Sequence, residues 1–270
     1  MFTKLLAYEI RSRYRADARS FGAFIVTIAV ASGIVAAGLQ GISGSTAVLA
    51  YALCALTPVA CAIAAVADYW KTLYGQRGYF TMSLPISGTV IFWAKVSRIV
   101  IECLLALALA VGGIIAVAAS AAWSDGISLA EYTAGPRSVV AGMPTSTVVI
   151  MIAVQIVLSM SWIVQGCAVM SIGAEGRFNH LGFGAPIIGF VLVYIVNQVL
   201  STVGTFFLPL SVTTDGHFST EIMWTSYRAT MGTDGQPNVI GIGSYILVPL
   251  FALILGVWAS RSIEKHTSLR

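Results

Sequence analysis

Six stretches of the chain run for about twenty residues or more with almost no charge: 21–40, 46–67, 99–119, 146–172, 182–208 and 240–260. About 20 predominantly apolar residues carry a helix across the hydrocarbon of a bilayer, so each stretch predicts one transmembrane span. Ala, Gly, Val, Ile and Leu dominate them, a composition suited to helices packed against one another in lipid. The fourth and fifth exceed one crossing, which leaves room for tilt or for extension into the interface. Gly182, Gly184 and Pro186 weaken the start of the fifth. Pro58, Pro186 and Pro249 are positions where a helix kinks or ends. Ser32 with Ala36 and Ala185 with Gly189 have the spacing of small residues that lets two helices approach closely.

Residues 2–19 follow a different period. Phe2, Leu6, Ile10, Tyr14 and Ala18 recur every fourth position, while Lys4, Arg11, Arg15 and Arg19 take other faces. This pattern predicts an amphipathic helix lying in the membrane interface. The connections then read as a tight turn at 41–45, a loop at 120–145 with Asp125-Gly126 and Gly135-Pro136 turn signals, and a long segment at 209–239. Phe218 to Met231 within that segment is amphipathic enough for a short surface helix.

Composition agrees with lipid as the main solvent. Only 10% of the 270 residues are charged and the mean hydropathy is +0.87, against about 25% charged for a soluble domain. The charges also orient the spans. Thirteen of the 15 basic residues fall at the N-terminus, around 68–98, near 177 and at the C-terminus. Only Arg137 and Arg228 lie on the opposite side, with Asp125, Glu131, Asp215, Glu221 and Asp234. Positive charge stays cytoplasmic, which predicts a multi-pass plasma-membrane protein with both termini inside. The net charge of +4 is a topology signal, since no soluble basic domain is present to bind nucleic acid. The N-terminal region is too long and too charged to read as a cleaved leader. Cys54, Cys61, Cys103 and Cys167 all fall inside spans without CxxC spacing and behave as small apolar residues.

Glu102 is the one ionisable residue well inside a predicted span, hence a candidate proton or cation site. Arg98, one turn earlier, offers it an ion pair instead. Gln155, Gln165, Asn197 and Gln198 are the strongly polar amides of the spans, suited either to line a translocation path with Glu102 or to bond between helices. His180, His217 and His266 lie in loops or the tail, away from any buried serine that would need a base. HExxH and clustered zinc ligands are absent, as is the G-x-x-x-x-G-K-[ST] loop that cradles ATP. The reading is therefore a non-enzyme without cofactor of its own.

Asp68 to Ser87 is the longest charged and aromatic interruption. Tyr69–Tyr74 predicts a short helix with Trp70, Leu73 and Tyr74 on one side and Asp68 near its start, where a carboxylate suits the unpaired N–H groups. Gly75 and Gly78 would break it, and Leu84-Pro85 would redirect the chain. Such an aromatic helix with charged edges serves either as a docking knob for a protein or as an anchor on lipid headgroups.

The run from Leu73-Tyr-Gly-Gln-Arg-Gly78-Tyr79-Phe-Thr81 to Leu84-Pro85-Ile86-Ser87, followed by Lys95, resembles the small permease subunits of ABC-2 type ABC transporters. In that family a cytoplasmic segment after the second span reads Gly-Tyr-hydrophobic-Thr-x-x-Leu-Pro-hydrophobic-Ser. Leu5-Leu6-Ala7-Tyr8-Glu9 with its following arginines is similar to the family's opening helix, and the six-span layout covers the chain. The resemblance implies a permease paired with a second copy or a related permease and driven by separate cytoplasmic ATP-binding subunits, which would hold the ATP and Mg. It implies export of an amphipathic substrate such as a peptide, drug or lipid-like molecule. Asp68, Trp70, Lys71, Leu73, Tyr74, Gly78, Tyr79, Leu84 and Pro85 would form the coupling segment, with Glu175 and Arg177, in 175–180, as a second contact. Residues 2–19 would be the elbow helix, and 209–239 the family's outer re-entrant or surface helices.

The expectation is an all-α polytopic membrane protein with a single permease domain over 1–270: residues 1–20 an interfacial helix, 21–260 a six-span bundle and 261–270 a cytoplasmic tail. An ion-coupled secondary transporter using Glu102, and a non-transporting scaffold, sensor or immunity protein, are the competing readings.

Overall fold

The computed structural model describes residues 1–270 except 76–77, 79–84, 233–234 and 266–270, and excepting the side chain of Asn179. Six helices are long and apolar enough to cross a membrane: α1 (Phe2–Ala36), α2 (Ser43–Leu73), α3 (Gly88–Ser124), α6 (Thr145–Gly173), α7 (Gly184–Phe207) and α9 (Ser244–Lys265). Between them lie α4 (Leu129–Tyr132), α5 (Ala134–Ala141), a 3-10 turn at Gly176–Leu181, strands β1 (Ser211–Thr213), β2 (Phe218–Ser219) and β3 (Val239–Gly241), and α8 (Met223–Thr230). The six predicted spans all recur as helices. The chain divides into two compact units, one comprising Met1–Tyr69 and Trp93–Val139, the other Trp70–Phe92 and the chain from Val140 onward.

In the first unit the helices overshoot a bilayer. At 1.5 Å per residue, α1, α2 and α3 are about 52, 46 and 55 Å long, against a hydrocarbon core of about 30 Å. The excess is polar and lies at the N-terminal ends of α1 and α3 and the C-terminal end of α2. One prediction is corrected here, because residues 2–19 are not a separate helix. They continue into the first span as one 35-residue helix. Only Gly22 interrupts the good helix formers between them, and one glycine costs about 1 kcal/mol relative to alanine, too little to stop an established helix. Ile28, Ala50, Cys54 and Val117 form the buried core of the unit, flanked by Phe24, Ala31, Ala47 and Tyr51. Gly113 permits that approach: a Cβ there would stand 2.7 Å from the Cys54 sulfur and 3.5 Å from the Phe24 ring. The segment expected as a loop over 120–145 is largely helical, with α3 running to Ser124 and the Ser128 hydroxyl accepting from the Glu131 N–H to start α4.

In the second unit α6, α7 and α9 pack against one another. Gly189 on α7 lies over Val169 of α6, where a Cβ would meet the Val169 Cγ1 at 2.8 Å. At the same end Gly173 closes α6 against the Pro186 ring. Pro186 itself sits in the first turn of α7, where its missing N–H has no intrahelical partner to lose. Gly182 turns the chain just before, at φ +57°.

The opposite end of this unit carries the clearest departure from an all-α fold. β1 pairs antiparallel with both β2 and β3, giving the order β2-β1-β3. Val212, Thr213 and Val239 supply β-branched side chains, and Asp215-Gly216, with Gly216 at φ +83°, turns β1 toward β2. The expected surface helix within 218–231 is present as α8, and Trp224 and Tyr227 on it meet Phe206 of α7 edge to face at ring separations of 6.2 and 6.0 Å. The buried Thr147 hydroxyl donates to the Gly216 carbonyl at 2.8 Å, tying the turn to the start of α6. With β3 occupying Val239–Gly241, the sixth span begins at Ser244 instead of residue 240.

The two neighbouring glycines of α3 separate packing from propensity. Gly113→Ala should lower thermal stability by about 1–3 kcal/mol through overpacking, whereas Gly112→Ala, with nothing within 4 Å of its would-be Cβ, should be neutral or stabilising. Thermal unfolding of both variants in the same detergent is the check, and equal effects would rule out the close approach at Gly113.

Candidate functional site

The polar ends of α1, α2 and α3 bring seven acidic and basic side chains into one region of the first unit. Arg13 of α1 donates to Asp68 of α2 at 2.9 Å, and Arg98 of α3 reaches the second Asp68 oxygen at 3.6 Å. Arg98 also donates to Glu102 at 2.7 Å, the pair that their four-residue spacing anticipates. Lys95 donates to Glu9 at 2.8 Å, bridging α3 and α1. Asp17 faces the same Arg98 and Arg13. The Cys61 thiol of α2 lies 3.8 Å from Glu102 Oε1. Lys95 and Arg98 are only 4% exposed, and such charges at the edge of hydrocarbon are tolerable because they are paired. Glu102 is thus held by a guanidinium from its own helix.

This arrangement changes the picture of the predicted coupling segment. Residues 69–74 do not form a helix of their own. They are the last turn of α2, which runs unbroken from Ser43 to Leu73, with the Tyr74 N–H closing onto the Trp70 carbonyl at 2.8 Å. No glycine or proline occurs between Pro58 and Gly75, so nothing separates this turn from the span. Asp68 accordingly stands near the end of a helix, held by two arginines, and does not cap a helix start. Leu73 is fully buried and Tyr69 nearly so. Trp70 packs edge-on against Phe183, 5.2 Å between ring centroids, and against Tyr74 at the same separation. Lys71 is exposed, as is Pro85, and Gly78 is buried. Tyr79 and Leu84 lie outside the described residues, as do Arg77, Phe80, Thr81, Met82, Ser83, Asp234, His266 and Arg270.

The candidate path residues do not form one set. In the second unit Gln165 and Asn197 meet in the core, 1% and 2% exposed. The Asn197 amide donates to Gln165 Oε1 at 2.6 Å, and the Gln165 amide donates to Asn197 Oδ1 and to the Val248 carbonyl, each at 3.4 Å. One reciprocal amide pair thereby joins α6, α7 and α9. Gln155 and Gln198 instead lie exposed on their helices, Gln198 donating to the Tyr194 hydroxyl at 2.9 Å. Glu102 belongs to the first unit.

Glu175 and Arg177 do come together. Arg177 Nε donates to Glu175 Oε2 at 2.6 Å, and its guanidinium lies 4.7 Å above the Phe178 ring. Glu175 is 4% exposed, so of the pair Arg177 alone presents a surface. Both line a cavity of about 450 Å³ completed by Gly176, Trp258, Arg261 and Ser262. Sequence reasoning passed over Trp258 and Arg261, although a tryptophan three residues before an arginine at the end of an apolar run is a signal for the membrane interface. No group of three or more metal-ligating side chains occurs among the described residues. Comparison with protein-family models, with curated proteins and with solved structures finds no match.

Two double-substitution experiments test these pairs. Gln165→Leu alone strands the buried Asn197 amide and should cost about 1–3 kcal/mol, more than Gln165→Leu combined with Asn197→Leu. A double variant as unstable as the sum of the singles would remove the pairing from the core. Likewise Lys95→Glu leaves two carboxylates facing each other and should destabilise by about 3–5 kcal/mol. Restoring opposite charge with Glu9→Lys should recover most of that loss in thermal unfolding. Absence of recovery would mean that the N-terminal part of α1 is not held on α3.

Proposed function

We propose that this chain is the membrane-spanning permease subunit of an ABC-2 type transporter, driven by ATP-binding subunits on separate polypeptides. The observation that carries the reading is the junction formed by the end of α2 and the start of α3. The Gly-Tyr to Leu-Pro pattern of the family follows directly on α2, and the last turn of α2 is continuous with a span. A force applied to the exposed Lys71 and the residues that follow passes straight into a 31-residue helix. Arg13 and Arg98 grip that helix through Asp68, so α1 and α3 would move with it.

The absence of a P-loop from the sequence requires an external source of energy under this reading. The elbow role of residues 2–19 is modified accordingly: the N-terminal helix would be a rigid extension of the first span, clamped by Lys95. Both termini are taken as cytoplasmic from the charge asymmetry, and pairing with a second permease would complete the pathway. The cargo class, an amphipathic peptide, drug or lipid-like molecule, rests on the family resemblance alone. For Glu102, the close Arg98 pair favours a structural role over the coupling-ion site that a secondary transporter would need.

Lys71→Glu is the cleanest probe, because Lys71 is exposed whereas Trp70 is packed. In reconstituted complexes it should lower permease-stimulated ATP hydrolysis at least about tenfold, the loss of roughly 1.4 kcal/mol of coupling contact, with membrane insertion and thermal stability unchanged. Unaltered stimulation, or purification of the wild-type chain without any ATP-binding partner, would sink the reading.

A further inference from the structure

We propose that the cavity lined by Glu175, Arg177, Trp258 and Arg261 binds the phosphate of an anionic phospholipid headgroup. The site stands whether or not an ATPase drives the chain. Its placement comes first. The apolar run of α6 ends at Gly173 and that of α9 at Ala259, and the Ser262 hydroxyl donates to the Ser171 carbonyl at 3.3 Å, pinning the two ends side by side. The cavity opens where both runs stop, the depth at which headgroup phosphates lie against a spanning helix.

Its chemistry comes second. Arg177 is exposed but oriented, with its Nε on Glu175 and its plane over Phe178. That ion pair engages one of the five N–H donors of a guanidinium and leaves the others for an oxyanion. Arg261 has neither an ion pair nor a side-chain hydrogen bond among the described residues and supplies a second fork to the same cavity. Two guanidinium charges against one buried carboxylate leave a net charge of +1, which one phosphodiester neutralises. Arginine suits this task because its planar donors match phosphate oxygens. Trp258, 47% exposed, forms an apolar wall where glycerol and the first methylenes of acyl chains would lie, and tryptophan favours that zone of the bilayer. This wall selects a lipid over a free phosphate. Basic pockets between spanning helices are known places for anionic headgroups. Glu175 is buried and already paired, so it offers nothing to the ammonium of a zwitterionic lipid.

Native mass spectrometry of the purified full chain titrated with phosphatidylglycerol or phosphatidylcholine tests the assignment. Wild type should retain phosphatidylglycerol at least about fivefold more than phosphatidylcholine, since each basic residue near a membrane surface contributes about that factor. Arg261→Gln should abolish most of the preference, and Arg261→Lys should keep part of it. Arg137→Gln, a charge change remote in sequence, should leave it intact, and unfolding midpoints of all three variants confirm that they fold. No preference in wild type, or an equal loss in Arg137→Gln, would overturn the site. Inorganic phosphate that displaces the lipid at equal concentration would overturn the lipid source in favour of a soluble anion. Loss of a co-purifying protein in Arg261→Gln with lipid retention unchanged would make the cavity a protein-docking surface instead.

Discussion

Hydrocarbon offers no hydrogen-bond partner, so each polar group that enters it unpaired costs several kcal/mol. The rest of this structure follows from that penalty. It makes the apolar runs helical, because only a helix satisfies its own peptide groups within one segment. It explains why Lys95 and Arg98, nearly inaccessible, each face a carboxylate, and why Gln165 and Asn197 meet amide to amide instead of lining an open channel. The strands β1–β3 obey the same rule by pairing their backbones at the end of the bundle.

The two units meet this requirement by different means. In the first, long helices carry their polar surplus beyond the apolar stretch and close it with ion pairs centred on Asp68. In the second, shorter helices approach through Gly173 and Gly189 and are joined by a neutral amide pair. Of the proposed coupling segment, Asp68 belongs to the first unit, whereas Trp70, Lys71, Leu73 and Tyr74 belong to the second. Trp258 and Arg261 lie in the last turns of α9, where the proposed lipid phosphate would anchor it.

Much of this was legible along the chain, and the misses share one cause. The Arg98–Glu102 pair followed from spacing on one helix, and the six spans from their apolar runs. Where two distant segments had to be compared, periodicity was silent. Asp68 reads as a helix-start residue until Arg13 and Arg98 are seen on either side of it. Residues 2–19 read as an interfacial helix because their stripe is narrow, and nothing local shows that Glu9 faces Lys95. The strands escaped because Ser211–Thr213 and Val239–Gly241 are three residues each, shorter than any alternation can reveal, although Asp215-Gly216 marked the turn.

The sequence by itself determined that this protein has six helices long and apolar enough to cross a membrane, since hydropathy over twenty residues is a local property that tertiary contacts do not alter. It also carried the Gly-Tyr to Leu-Pro pattern after α2 on which the proposed function rests, a pattern that lies in residue order. Tertiary structure alone decided which charges are paired, which amides are buried and which aromatic rings are packed. Those outcomes depend on residues far apart in the chain, 86 positions for Lys95 and Glu9, and no window along the chain contains both partners.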